Sequence, residues 1–246
     1  MKRTFDLVVS IFGLIVVSPI LLPVMFLVWW QDKHSPFYVA ERVGRNNTSF
    51  KMVKLRSMII NADRSGVDST STDDRRITAV GHFIRRYKLD ELTQLWNVFL
   101  GDMSVVGPRP NVRRETDLYT DKERVLLTVR PGVTDFSSIV FSDEGDILAG
   151  TTNPDIAYNQ LIRPGKGLLG LFYISNGSLW VDVYICWLTL IAIFSRRVAL
   201  TRLCALLKKL GADEELLIIA ARIQPLSPRP PVGGSKIVTS RDEIVN

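Results

Sequence analysis

From Leu7 to Trp30 the chain carries no charged residue: LVVSIFGLIVVSPILLPVMFLVWW. As a helix this run would reach about 36 Å, against a hydrocarbon core of about 30 Å in a typical bilayer. Two features set it apart from an ordinary span. Ser18-Pro19 sits at its centre, with Pro23 close behind. Pro19 has no amide hydrogen and its ring clashes with the Ile15 carbonyl, so a kink is expected there. The Ser18 hydroxyl can satisfy the freed carbonyl. The second feature is charge. Lys2 and Arg3 precede the run, and Lys33, Arg42 and Arg45 follow it. Both flanks therefore favour the cytoplasm. A helix that dips in, breaks at Ser18-Pro19 and returns satisfies both ends; a straight crossing is the alternative. A cleaved signal peptide fits less well, because the run is long and no small-residue cleavage site follows. Trp29 and Trp30 suit the membrane interface, where an apolar ring with a polar N–H sits well.

The bulk properties narrow the partner. A net charge of +6 on 246 residues suits a partner with phosphates, whether nucleic acid, anionic lipid or nucleotide. Nucleic acid is disfavoured, since no basic helix with interleaved aromatics is visible. Cys186 and Cys204 form no CxxC, and His34 and His82 stand alone, which argues against a zinc site. So low a thiol count suits a reducing compartment.

The pattern predicts an α+β protein: a small membrane-associated catalytic domain with an N-terminal re-entrant membrane helix and interfacial amphipathic helices. Residues 1–35 form the membrane helix and residues 36–165 the catalytic domain. Residues 166–222 form interfacial and amphipathic helices, and residues 223–246 a proline-rich, disordered tail. Within the catalytic domain, Phe37–Val43 and Phe50–Leu55 read as a hairpin around Gly44-Arg45-Asn46-Asn47. Ser65–Asp74 reads as a polar loop, either a plain surface loop or one that closes over a ligand. Val80, Phe83, Ile84 and Tyr87 give Thr78–Lys88 a helical face, which Leu89, Leu92, Leu95, Trp96 and Phe99 continue until Gly101. Ser178–Phe194, apolar but for Asp182, suits a helix lying at the membrane surface. Ala199–Arg222 reads as one or two amphipathic helices broken at Gly211.

The chemistry concentrates around KLDELTQLWNVFLGDMSVVGPRP, Lys88 to Pro110. Asp90 and Glu91 are adjacent on a helix and point about 100° apart, so they divide labour and do not share a proton. The apolar residues leave Asp90, Glu91, Gln94 and Asn97 on a polar side. Asp90 lies near a helix start, where backbone dipoles favour the ionised form, the form a nucleophile needs. Basic residues surround the pair in sequence: Arg85, Arg86 and Lys88 before it, Lys54 and Arg56 from KLRSM, Arg109 from GPRP, then Arg113 and Arg114. A carboxylate attacking phosphorus needs such a crowd, because an anion must approach an anion. Pro108 and Pro110 fix the backbone that presents Arg109. Taken singly, each feature has a plainer reading: Asp-Glu as a helix cap, Arg-Arg as solvated surface, GPRP as a rigid turn.

KRTFDLVVS, the apolar run with Ser-Pro, KLRSM, RRYKLDELTQLWNVFLGDMSVVGPRP and VRPGVTD occur in this order. Together they resemble the bacterial sugar transferases of the monotopic phosphoglycosyl transferase superfamily, over Lys2 to Ser138 and more weakly to Arg197. The chain is similar to the small, minimal type. The resemblance implies an enzyme at the cytoplasmic face of the bacterial inner membrane that uses a UDP-sugar, Mg²⁺ and a polyprenyl phosphate, usually undecaprenyl phosphate. It implies Asp90 as nucleophile on the β-phosphate, expelling UMP, and Glu91 as Mg²⁺ ligand. Lys54, Arg56, Arg85 and Arg109 would bind phosphates or nucleotide, and Ser18-Pro19 would set the membrane-helix break. A second copy of the chain or downstream glycosyltransferases are candidate partners. Many members read RPG-x-TG-x-x-Q where this chain reads RPGVTDFSSI; Asp135 and Ser138 replace a glycine and a glutamine, which leaves the sugar unassigned. A UDP-sugar hydrolase and a catalytically silent membrane-anchored scaffold are the rival readings.

Overall fold

The computed structural model describes residues 1–65 and 69–240. Gly66, Val67 and Asp68 of the expected polar loop, and residues 241–246 of the expected tail, lie outside the described residues. The apolar run forms one helix, α1 (Lys2–Asp32), which continues through Pro19 and Pro23. The Ser18 hydroxyl donates to the Ile15 carbonyl at 2.8 Å, the acceptor that Pro19 leaves without an amide partner. The helix is long and apolar enough to cross a membrane, with a mean hydropathy of 2.7 over its most apolar window. Val8, Phe12, Ile15, Leu22, Phe26 and Trp30 project from it unburied. Lys33 closes it in the left-handed region, with its ammonium over the rings of Trp29 and Trp30.

Both ends of α1 are tied to the same body. At the start, the Asp6 carboxylate is buried and accepts from the Ser104 hydroxyl and the Val105 amide, each at 2.9 Å. Lys2 pairs with Asp182 at 2.6 Å, and Arg3 donates to the Val98 and Phe99 carbonyls. At the other end, Leu21, Val24 and Val28 pack with Leu55, Ile84 and Leu89.

Strands β1 (Phe37–Val43) and β2 (Ser49–Leu55) pair antiparallel in the register Phe37 with Leu55 and Val43 with Ser49. Asn46 and Asn47 take the left-handed conformation that the turn needs. Helix α2 (Ala79–Arg86) starts at Thr78, whose hydroxyl accepts from the Gly81 amide. The helix expected to run from Leu89 to Phe99 is two shorter pieces, α3 (Leu89–Leu92) and α4 (Leu95–Leu100). Lys88 separates α3 from α2 in a left-handed conformation, and Gly101 (φ 98°) ends α4. Gln94 and Asn97 are buried, not on a polar surface. Asn97 bonds the backbone of β2 on both sides, accepting from the Val53 amide and donating to the Lys51 carbonyl. The side chain is a bracket between α4 and β2.

Strands β3 (Ser104–Val106) and β4 (Gly132–Thr134) pair parallel. A Cβ on Gly132 would lie 2.1 Å from the Gly107 nitrogen, so the close approach of these chains requires glycine. Short helices α5 (Arg113–Asp117), α6 (Asp121–Arg124), α7 (Phe136–Val140), α8 (Glu144–Leu148) and α9 (Pro154–Ala157) follow, then a π-helical turn over Tyr158–Ile162. Helices α10 (Arg163–Asn176), α11 (Leu179–Phe194), α12 (Arg196–Lys209) and α13 (Glu214–Ala221) complete the body. One apolar core runs from Met52 and Val98 through Phe136, Leu169 and Leu188 to Leu203, Leu207 and Ile219. It crosses the boundary expected at residue 165. Leu203, Leu206 and Leu207 face this core, so α12 spends its apolar side inside the protein. The proline-rich segment, expected to be disordered, lies along the body as far as it is described. The Thr120 hydroxyl donates to the Val232 carbonyl, Gln160 donates to the Val238 carbonyl, and Val238 is buried.

Candidate active site

The turn from α2 into α3 carries the two carboxylates. Leu89 is buried against α1 and β2, and this anchor turns the half-buried Asp90 and Glu91 toward the basic residues. Lys54 arrives from β2, Arg85 from the end of α2, and Arg109 from the turn after β3. Arg109 holds Glu91 at 2.7 Å from Nη2 to Oε1, and its Nη1 donates to the Val133 carbonyl. Desolvation pushes the Glu91 carboxyl up, but Arg109, Lys88 and Lys54 together overcome this and hold it down at about 2. Asp90 goes the other way. Burial pushes its carboxyl above the ordinary value, with Glu91 adding to the rise while Lys54, Arg85 and Lys88 oppose it. The dipole argument from the sequence is thus overridden: α3 is a helix of a single turn, and the missing water outweighs it. Burial also lowers the Lys54 ammonium, against the pull of Asp90 and Glu91. Glu91 and, more weakly, burial act on Arg109 in opposite senses, and the net effect raises it.

These environments assign different tasks to neighbouring carboxylates, as their divergent ionisation requires. Glu91 is a fixed anion locked to an arginine. Asp90 makes no side-chain hydrogen bond among the described residues, and several cations bear on it. An ionised carboxylate that is poorly solvated and free to move is a competent nucleophile. The surrounding cations suit an electrophile that carries negative charge.

Of the residues singled out from the sequence, Lys54, Arg85, Asp90, Glu91 and Arg109 come together. Arg56 does not join them. Its guanidinium clamps Asp32 through both nitrogens, at 2.5 and 2.8 Å, and also donates to the Ser35 carbonyl. It fixes the end of α1. Ser18 and Pro19 lie mid-helix on α1, between Val17 and Leu21, which pack in the same apolar cluster as Leu89. Among the described residues no group of three or more His, Cys, Asp or Glu is placed to hold a metal ion. Glu91 Oε2 has no hydrogen-bond partner among the described residues, which fits a magnesium ion completed by substrate phosphates, the usual arrangement for that ion.

Sequence reasoning passed over the neighbouring layer. Arg163 pairs with Glu123 at 2.6 Å, Lys166 pairs with Glu144, and Asp135 is buried under hydrogen bonds from Ser137 and Ser138. Asp135 and Glu144 both bear on the charge of Arg109. Asp135 had a signal, the departure from the RPG-x-TG pattern. Arg163 repeats the Arg-Pro-Gly of Arg130, but it stands where the catalytic domain was expected to end.

The family model for bacterial sugar transferases matches residues 1–196. The chain is 36% identical over 207 residues to the exopolysaccharide production protein ExoY of Sinorhizobium fredii, covering 78% of this chain and 84% of that one. It is 33% identical over 211 residues to the UDP-galactose-lipid carrier transferase of Erwinia amylovora (80% and 41%). It is 34% identical over 204 residues to the undecaprenyl-phosphate galactose phosphotransferase of Salmonella typhimurium (77% and 39%). The chain thus spans about two fifths of the length of these last two relatives. With the carboxylate pair, its arginine and the apolar helix all inside the matched residues, the chain belongs to the bacterial sugar transferase family.

Proposed function

We propose that this protein transfers a phosphosugar from a UDP-sugar to a polyprenyl phosphate, undecaprenyl phosphate being the expected acceptor, with release of UMP. The observation that carries the reading is the unpaired Asp90 carboxylate beside the Glu91–Arg109 pair, with Lys54, Arg85 and Lys88 bearing on it. Names of relatives point the same way: they include phosphotransferases that act on undecaprenyl phosphate with galactose, glucose or N-acetylgalactosamine.

In the first step an Asp90 oxygen attacks the β-phosphorus. The bond from that phosphorus to the bridging oxygen breaks, and its electron pair leaves with UMP. In the second step an oxygen of the lipid phosphate attacks the same phosphorus and returns the electron pair to Asp90. The product is a polyprenyl-diphosphate-sugar. Lys54, Arg85 and Arg109 neutralise phosphate oxygens during both displacements. Arg109, fixed by Glu91 and the Val133 carbonyl, does so with little reorganisation. A magnesium ion, held by Glu91 and substrate phosphates when bound, would supply further charge neutralisation on those oxygens.

The acceptor is a lipid, so the site must work at a membrane. The exposed apolar face of α1 and the exposed Trp96, Phe99 and Leu100 on neighbouring α4 support placement at the cytoplasmic face of the bacterial inner membrane. A re-entrant course for α1 is supported by the basic residues on both flanks and by the attachment of both helix ends to one body. The test is UMP release by the purified protein with UDP-sugars, Mg²⁺ and undecaprenyl phosphate. Release that depends on the lipid is expected. Release without lipid would make the protein a hydrolase, and none across a broad sugar panel would favour the silent scaffold. Asp90→Asn is expected to abolish both turnover and the trapped phosphosugar adduct, read by intact-protein mass spectrometry. Substantial turnover in that variant would place the nucleophile elsewhere.

A further inference from the structure

Arg109 faces a second environment besides Glu91. It lines a pocket together with Asn111, Asp135, Tyr158, Arg163 and Lys166, with about 390 Å³ of empty space counting the part open to solvent. The charges in this pocket are largely cancelled within the protein. Arg163 is answered by Glu123, Lys166 by Glu144 and Arg109 by Glu91. Asp135 accepts hydrogen bonds from the Ser137 hydroxyl and from the Ser138 amide and hydroxyl. Tyr158 is different. It is 8% exposed, and its hydroxyl has no hydrogen-bond partner among the described residues. Asn111 donates its amide to the Tyr119 hydroxyl, which leaves its side-chain oxygen as an acceptor. The Lys166 ammonium lies 5.0 Å from the centre of the Tyr158 ring, so the aromatic side chain is fixed.

A pocket with compensated charges, a tyrosine hydroxyl that no described residue bonds and a spare amide oxygen suits a neutral ligand rich in hydroxyl groups. Beyond Arg109, a phosphate would find Arg163 and Lys166 already engaged by Glu123 and Glu144. The Tyr158 hydroxyl can donate to a ligand hydroxyl, and the Asn111 oxygen can accept from one.

We propose that this pocket holds the sugar ring of the donor, and that the Tyr158 hydroxyl is a specificity-determining contact to one hydroxyl of that ring. The inference rests on the transferase reading above and deepens it. The order of the two displacements favours the sugar over the nucleoside as occupant. The sugar stays on the enzyme from the first step to the second, so a recess lined by the protein suits it. UMP must leave, and the lipid phosphate must enter the place it vacates, which needs an open approach.

The test compares wild type with Tyr158→Phe, which removes one oxygen that no described residue uses, so the melting temperature should stay unchanged. Lipid-dependent UMP release is measured with UDP-glucose, UDP-galactose, UDP-N-acetylglucosamine and UDP-N-acetylgalactosamine. For the preferred donor kcat/KM should fall about tenfold, while its epimer loses less, so the preference between them narrows. Inhibition by UMP should stay the same. An unchanged donor preference, or an equal loss on all donors with weakened UMP inhibition, would overturn the assignment; the latter would give the pocket to the nucleoside. Absence of lipid-dependent release from wild type with every donor would instead overturn the transferase reading, and this inference with it.

Discussion

Asp90 and Glu91 are neighbours in sequence with opposite fates, and the cause is where each finds its cation. Glu91 meets a guanidinium directly, whereas Asp90 meets several cations without bonding any. A nucleophile must be ionised, so activity should fall as pH drops through the raised Asp90 value, which lies above the ordinary 3.8. Lys54 favours the ionised form of Asp90. Lys54→Met should therefore move the acid limb of the kcat/KM profile to higher pH, and lower the plateau by about a hundredfold. An acid limb that stays in place would separate Lys54 from Asp90. The grouping of Lys54, Arg85 and Arg109 with the two carboxylates was legible, since basic residues crowd around the pair in sequence. Their ionisation was not, because desolvation depends on burial that only the folded packing sets. Arg56 shows the same limit. Two residues from Lys54 and just past the end of β2, it belongs by pattern with the phosphate binders, yet Asp32 claims it.

Elements settle which way these side chains face. α1 is held at its start by the Asp6 carboxylate on β3 and at its end by Asp32 on Arg56. Loss of the second clamp should cost about 2 kcal/mol, a typical value for hydrogen bonds to charged groups. In Arg56→Gln, amide exchange should quicken across residues 33–37 while the Val105 amide, bonded to Asp6, keeps its protection. Equal loss at both ends would mean that α1 moves as a rigid rod. The charge-free run gave the place of α1 but not its continuity through Pro19, and the residue pattern gave α2, β1, β2 and α11 nearly to their ends. It ran α3 and α4 together, because Thr93 and Gln94 keep helical dihedrals and only the hydrogen bonding changes. It also put Asn97 on a polar face, since a buried amide that brackets a neighbouring strand looks like any other polar residue in sequence.

At the scale of the whole molecule, the helices beyond residue 165 are not an appendage. The core that supports β3 and β4 includes α11, α12 and α13, and the segment beyond α13 closes over the start of α6 and the π-helical turn through Val232 and Val238. Deleting residues 227–246 should expose these contacts and lower the melting temperature by about 5 °C or more, the shift expected for a few kcal/mol in a chain of this size. An unchanged melt would make the segment a passive passenger. This arrangement was hidden because short apolar stretches between prolines carry no periodicity to read. The Lys2–Asp182 pair has a further consequence. The partners are 180 residues apart in the chain, so at ordinary synthesis rates Lys2 leaves the ribosome roughly ten to forty seconds before Asp182 exists. During that wait α1 has Leu55, Leu89 and the Val105 amide to engage, but its final seating must come after translation of α11.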